Sequence, residues 1–404
     1  MHPYDTTTPV MVCFGTRPEV IKLAPVITAL DAHPELHAVN VTTAQHREML
    51  DQALATHRIT PDLDLGLMEH GQSIDGLASL AIATLGRAVR DQRPAAVVVQ
   101  GDTTTALCAA LAAFWLHIPV AHVEAGLRTG DLASPFPEEG NRTLIGSIAR
   151  WHFCPTTDSA DNLVREGVPA DRIHVTGNTA VDAVQEMVRR NDGVAHLIPA
   201  RRRARRLLVT MHRRETHGDV QRQLLRMLAR IVAEHDVEVV LPVHPNPAVR
   251  DVVAEELGGR DGVLLLDPVE YAEFVQLMCS SDLILTDSGG MQEEAPALGV
   301  PLLVMRDTTE RPEGVASGCV MLCGTDPEFV ETELLRLLAD PFALAAMATA
   351  PQPYGDGNAA LRIADLLAAE LAPARVQEPR PLQLVPTSSA TGALVLESIM
   401  TGAR

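Results

Sequence analysis

One pattern recurs along this chain of 404 residues: a short β-branched apolar run, a turn of Gly, Asp, Thr or Pro, then a segment with helical spacing. PVMVCFG leads into TRPEVIKLAPVITAL, PAAVVVQGD into TTTALCAALAAFWL, and LILTDSGG into MQEEAPAL. Strand then helix, repeated, predicts a parallel sheet with helices on both faces, since parallel neighbours need a crossover. The pattern runs from Met11 to about Asn178, weakens across RNDGVAHLIPARRRARR, and resumes at LLVTMH. The chain is too long for one ordinary core. The expectation is therefore an α/β protein of two doubly wound, Rossmann-like domains, at residues 1–180 and 206–357, with a linker at 181–205. The stretch from about Pro373 to Ala390 is rich in Pro, Ser, Thr and Gln, and residues 372–404 are expected to form a flexible tail.

Composition removes several classes of function. Apolar residues make up 46% and charged residues 21%, and no apolar run reaches the roughly 18 residues needed to span a bilayer. No membrane partner is expected. MHPYDTTTPV lacks the basic start and apolar stretch of a secretion signal, so a cytoplasmic chain is expected. The six cysteines form no CxxC pair and read as reduced core thiols, with no metal site. A net charge of −19 argues against nucleic acid, whose phosphates would meet a repelling field. A small anion is still allowed where cations converge. Lys22 is the only lysine in the chain, which suggests a position that arginine cannot fill.

In doubly wound sheets ligands bind beyond the carboxyl ends of the strands, so the loop residues there form a candidate site. In FGTRPEVIK, Gly15 permits the turn, Pro18 suits a first helical position, and Arg17 and Lys22 lie near a helix N-terminus, where an anion fits. QGDTTT places Asp102 after a very apolar strand, as an acid or as a helix cap. HVEAGLRTGDLASPFPEEGNR brings Glu124, Glu138 and Glu139 to the next loop, with Arg128 and Arg142 available as partners. A carboxylate at the end of a buried strand tends toward a raised pKa, as a general acid or base requires. The second half supplies His212 and His244 at strand ends. SGGMQEE adds Ser288, Gly289 and Gly290, which let backbone amides approach a bound group, with Gln292, Glu293 and Glu294 opening a helix. Arg306 and Arg311 follow the strand PLLVM. One half reads as chemistry and the other as a nucleotide grip.

GTRPE, TAQHREML, GDTTT, HVEAGLRTGD, PEEGNR, TGNTAVDA, HRRE, PVHPNP, TDSGGMQEEAPALG, MRDTTERPEG and PYGDGNA, in this order from residue 12 to about 370, resemble the non-hydrolysing UDP-N-acetylglucosamine 2-epimerases. The resemblance implies two Rossmann-like domains facing a central cleft, an architecture like that of GT-B glycosyltransferases, with a helix at 358–371 crossing back to the first domain. It implies reversible C2 epimerisation of UDP-GlcNAc to UDP-ManNAc, by elimination of UDP to 2-acetamidoglucal and re-addition, without a cofactor and in a homodimer. Family roles fall on Asp102, Glu124 and Glu138 as acid/base groups and on His212 near the diphosphate. Arg17, Lys22, Ser288, Gly290, Glu294 and Arg311 carry over as substrate contacts, and Phe274 lies beside the uracil. Gln45 and His244 match contacts to a second, activating UDP-GlcNAc. Two further contacts of that kind correspond to Glu48 and Gly71, a departure that weakens the allosteric reading. Gln100 also departs, standing where family members often have histidine. Rival readings are a hydrolysing epimerase, an epimerase of another UDP-sugar, and a glycosyltransferase of the same architecture.

Overall fold

The computed structural model describes residues 7–44, 47–67, 71–190, 194, 198–211, 218–243 and 246–372. Strands β1 (Thr8–Phe14), β2 (Leu36–Thr42), β3 (Leu63–Asp64), β4 (Ala96–Gln100), β5 (Val120–Val123), β6 (Trp151–Cys154) and β7 (Ile173–Val175) alternate with helices α1 (Arg17–Ala32), α2 (Arg47–His57), α3 (Ile74–Gln92), α4 (Thr104–Trp115), α5 (Glu138–Ile148) and α6 (Thr157–Arg165). After α7 (Thr179–Arg190) the alternation resumes. Its strands are β8 (Arg205–Thr210), β9 (Val237–Pro242), β10 (Val263–Leu266), β11 (Leu283–Thr286), β12 (Leu302–Val304) and β13 (Val320–Leu322). Its helices are α8 (Asp219–Glu234), α9 (Pro247–Leu257), α10 (Tyr271–Cys279), α11 (Met291–Ala297), α12 (Pro312–Ser317), α13 (Pro327–Ala339) and α14 (Pro341–Ala348). The last helix is α15 (Ala359–Leu371).

Both sheets are parallel throughout. The first has the order β3-β2-β1-β4-β5-β6-β7 and the second β10-β9-β8-β11-β12-β13. Val10 to Phe14 and Ala96 to Val99 are all fully buried, as expected of central strands covered by helices on both faces, where apolar runs need not alternate. In each sheet the winding reverses at one place, between β1 and β4 and between β8 and β11. The loops after β1, β4 and β11 therefore lie at the switch points, where side chains from diverging crossovers leave a crevice.

The expected linker begins as helix: residues 181–190 continue α7, whose Ala183, Val184 and Met187 pack with Leu208, Val240, Tyr271 and Leu302 around the second sheet. The segment next to β8 is anchored by a buried ion pair, Arg206 Nε to Glu238 Oε1 at 2.7 Å. Glu238 also accepts from the Arg202 amide, and Arg206 donates to Ser280 and to the Pro199 carbonyl. Every charged atom of that pair thus has a partner, the condition under which buried ions are tolerated.

Helix α15 returns to the first sheet. Ile363, Ala364 and Leu367 join the cluster built on Val10, Val12 and Phe14, and the Asp182 carboxylate receives the Ala360 amide at 2.9 Å. Just before it, buried Tyr354 accepts the Asn178 amide on its carbonyl at 2.7 Å. Its hydroxyl receives the Gly314 amide at 3.1 Å and donates to the Arg311 carbonyl at 3.3 Å. Five of the six cysteines are buried and all are free, whereas Cys279 is exposed at the end of α10, against the expectation of core thiols throughout. Among the described residues no helix is long and apolar enough to cross a membrane.

Candidate active site

The loop after β1 is shaped by two requirements. A Cβ at Gly15 would lie 2.2 Å from Thr43 Oγ1 and 2.4 Å from Thr105 Oγ1, so the threonine pair needs a residue without a side chain. Glu19, fully buried, then collects the Gly15 amide (3.0 Å), the Thr16 amide and hydroxyl (both 2.8 Å) and the Thr103 hydroxyl (2.6 Å). Burial raises its pKa while those four donors pull it down. The result is a bracket between the loops after β1 and β4. It fixes the start of α1, the helix that carries Lys22 to Glu124 and Glu293.

The acids follow β4 and β5. Glu124 leaves β5 with φ of 63°, a left-handed conformation that costs a residue with a Cβ of order 1–3 kcal/mol. Its Oε2 receives Lys22 Nζ at 2.7 Å and the Gln100 amide nitrogen. Burial raises its pKa, opposed chiefly by Lys22. Asp102 pairs with Arg142 Nη2 at 3.0 Å, and Asn141 Nδ2 donates to the Asp102 carbonyl at 2.7 Å. Arg142 also lies 3.7 Å from Glu139, whose other oxygen accepts the Thr129 and Gly130 amides at 2.9 and 3.1 Å. Glu138 begins α5, four residues before Arg142, so the two share a helix face. Glu138 Oε2 is buried with no hydrogen-bond partner among the described residues, which is costly unless a ligand satisfies it. Of the two expected arginine partners, only Arg142 serves the acids. Arg128 forks onto Glu166 at 2.7 and 2.9 Å and ties the loop to the end of α6.

The facing edge carries cations and open backbone. The Thr210 and Thr286 hydroxyls lie 2.6 Å apart, and Thr286 Oγ1 accepts the Ser288 amide, which fixes the turn into α11. A Cβ at Gly290 would meet nothing within 4 Å, so packing alone does not demand glycine there. Glu293 forks between Arg311 Nε, 2.6 Å from Oε1, and Lys22 Nζ, 3.0 Å from Oε2 and off the hydrogen-bonding direction. Despite burial, the two cations hold its pKa near 2. Among the described residues Glu294 has only the Tyr271 hydroxyl, at 3.2 Å, as a hydrogen-bond partner, and burial with the neighbouring Glu293 charge pushes it to about 7. Arg17 lies close enough to pull Glu294 down. Phe274 is half-buried on α10, packed against the second sheet's cluster. His212, Gln45 and His244 lie outside the described residues.

The structure thus brings Lys22, Glu124 and Arg311 together through Glu293, and Asp102 together with Arg142 on the face shared by Glu138. Ser288 and Gly290 stand at the mouth of the same α11. The sequence reading missed Glu19, Gln100 and Glu293 as site builders. Only Glu19 left a signal, the T-x-x-E spacing of Thr16 and Glu19 that marks a helix start. Among the described residues no cluster of His, Cys, Asp and Glu could hold a metal ion.

A model of the UDP-N-acetylglucosamine 2-epimerase family matches residues 28–368. The chain belongs to that family. UDP-N-acetylglucosamine 2-epimerase of Escherichia coli (strain K12) is 49% identical over 367 residues, 89% of this chain and 98% of the relative. The enzyme of the same name from Bacillus subtilis (strain 168) is 48% identical over 360 residues, 89% and 94% of the two chains. The crystal structure of the epimerase from Neisseria meningitidis bound to UDP-GlcNAc superposes with a TM-score of 0.83 at 42% identity, covering 90% of this chain and all of that one. That likeness fixes the fold class of this epimerase-family chain as two parallel α/β sheets in a GT-B-like arrangement.

Proposed function

We propose that the chain is a UDP-N-acetylglucosamine 2-epimerase of the non-hydrolysing kind, interconverting UDP-GlcNAc and UDP-ManNAc. The observation that carries this reading is the arrangement around the Lys22 bridge: the candidate acids Asp102, Glu124 and Glu138 follow strands of the first sheet, Arg311 and an open glycine turn follow strands of the second, and Lys22 spans from Glu124 to Glu293. C2 is a poor carbon acid, so expulsion of UDP must be assisted while protons move on both faces of the sugar. Glu124, Asp102 and Glu138 are assigned as the acid and base groups. Glu138 Oε2 is buried without a partner among the described residues, and burial keeps Glu124 ready to take up a proton. Arg17, Lys22, Ser288, Gly290 and Arg311 are assigned to the nucleotide diphosphate, Glu294 to ribose hydroxyls and Phe274 to the uracil. His212 is kept as a diphosphate contact, and Gln45 and His244 as contacts to a second nucleotide sugar. No cofactor is required.

Turnover of UDP-GlcNAc in deuterated water, followed by NMR, tests the reading. UDP-ManNAc should accumulate with deuterium at C2 of both sugars, and prolonged incubation should release UDP and 2-acetamidoglucal. Stoichiometric free ManNAc and UDP would establish hydrolysis instead, and turnover without deuterium at C2 would end the elimination route. The domain limits, taken at residues 1–180 and 206–357 with a linker at 181–205, belong to this proposal, as do a cytoplasmic location and a homodimer. Leu80 on α3, Phe114 and Trp115 on α4 and Leu144 on α5 are large exposed apolar side chains on neighbouring helices, as a self-association face requires. Sedimentation of the full chain measures the oligomer.

A further inference from the structure

Resting on the functional reading above, we propose that Glu293 is a positioning residue. Its carboxylate forks between Arg311 and Lys22, and by sharing the one ammonium that grips Glu124 it sets how firmly that acid is held.

The argument begins with connectivity. Arg311, Glu293, Lys22 and Glu124 form an unbroken ladder of alternating charge with contacts of 2.6, 3.0 and 2.7 Å. The members come from the loop after β12, from α11, from α1 and from the end of β5. Two of the four members therefore follow strands of the second sheet and two follow strands of the first, and Glu293 and Lys22 make the joint. All four are largely removed from water: Lys22 is 13% exposed at its side chain, Glu124 8%, Glu293 2% and Arg311 15%. Interactions between charges are weakly screened in such a place.

Glu293 has the geometry of a spacer rather than of a reacting group. Both carboxylate oxygens are committed to cations, and its pKa near 2 leaves no proton to exchange at neutral pH. Among the described residues the charged groups that act most strongly on Glu124 are Lys22, Glu293 and Arg311. Lys22 and Arg311 favour the ionised form and Glu293 opposes it. With Glu293 in place the ammonium is divided between two carboxylates, and Glu124 can accept a proton. Without that charge Lys22 would belong to Glu124 alone. The same charge offsets two cations assigned to the diphosphate, so its removal should also leave the cleft more attractive to an anion.

Glu293→Gln and Glu293→Asp in the full chain decide the matter with three measurements. The first is titration of the Glu124 side-chain carboxyl by ¹³C NMR in the unliganded protein, an assay independent of any activity. Glu293→Gln should lower the midpoint by about one pH unit, the effect of one adjacent charge. The second is calorimetry with UDP, where Glu293→Gln should bind about tenfold more tightly. The third is kcat for exchange at C2, which should fall about tenfold or more in the same variant with its low-pH limb moved to lower pH. Glu293→Asp keeps the charge and should return the midpoint and UDP affinity to those of the parent, with kcat recovered in part. An unmoved Glu124 midpoint and unchanged kcat in Glu293→Gln would overturn the proposal. So would parallel losses of kcat, UDP affinity and thermal stability in both variants, which mark a merely structural residue. A parent protein without exchange at C2 would sink the functional reading while the titration still judged Glu293.

Discussion

The two sheet edges that meet at Lys22 treat their carboxylates differently. On the first edge, Glu19 is held by four neutral donors and Glu124 by one ammonium and one amide, and burial raises both pKa values. On the second, Glu293 has two cations and Glu310 has Arg306 at 3.0 Å with Arg311 at 3.6 Å. Both of the latter stay near 2. Burial is common to three of the four, so depth does not sort them. The number of cations at each carboxylate does. Acids left short of cations can carry protons, and acids saturated with cations hold other groups in place. Glu294 is the exception on the second edge, with the Tyr271 hydroxyl as its only hydrogen-bond partner among the described residues.

That contrast can be broken most directly at the first edge. Glu124→Gln, Asp102→Asn and Glu138→Gln should each lower kcat for exchange at C2 by roughly 10²–10⁴-fold, the range for a positioned acid or base, with UDP affinity retained. The paired measurements are deuterium exchange by NMR and UDP calorimetry. Equal losses in both would make these acids part of the grip and erase the distinction. Next in size, Arg311→Met on the second edge should weaken UDP binding by roughly 10–100-fold, the loss of a charge-assisted contact of about 1.5–3 kcal/mol. Unaltered UDP titration curves would remove Arg311 from the grip.

A smaller effect is expected at the joint. Lys22→Arg keeps the charge but replaces a compact ammonium set between Glu124 and Glu293 with a planar fork. About a tenfold drop in kcat should follow, with the circular dichroism spectrum and Tm unchanged. Parent kinetics in Lys22→Arg would show that any cation serves. The smallest effect tests the exception. The Glu294 pKa is raised to about 7, above its unfolded value, so the folded state holds this proton more tightly than the unfolded chain does. Stability from that source is complete at acid pH and is lost as pH rises from about 5 to 7. Glu294→Gln cannot ionise. Its Tm should therefore match the parent's near pH 4 and exceed it by a few degrees near pH 8, as read by scanning calorimetry across that range.

How much of this was open to the sequence depends on whether an interaction is local. Strand-then-helix units are local, and the quoted runs around β1, β4, β5, β8, β9, β11 and β12 all fall on parallel strands. Carboxylates at strand ends were legible for the same reason, and so was the SGG turn into α11. The ladder was not. Lys22 and Glu293 lie 271 positions apart, and the QEE run reads as an ordinary acidic first turn whichever partner it meets. Gln100 registered only as a departure, because nothing in its neighbours shows that its amide reaches Glu124 across β4 and β5. Arg128 and Arg142, equivalent on paper, were separated by the path of the loop, which sends one to α6 and the other to Asp102.

The backbone at Glu124 has a consequence for how this chain can change. A residue there with a Cβ is held in a conformation that glycine adopts at no steric cost. On backbone conformation alone glycine is thus the easier occupant of the position, and what holds glutamate there is its carboxylate's reach to the buried Lys22 ammonium and the Gln100 amide. The sequence best suited to this backbone and the sequence best suited to the reaction part company at this position. Any replacement of residue 124 that relieves the backbone therefore strips one carboxylate from Lys22, and strain relief and ion pairing oppose each other at a single position.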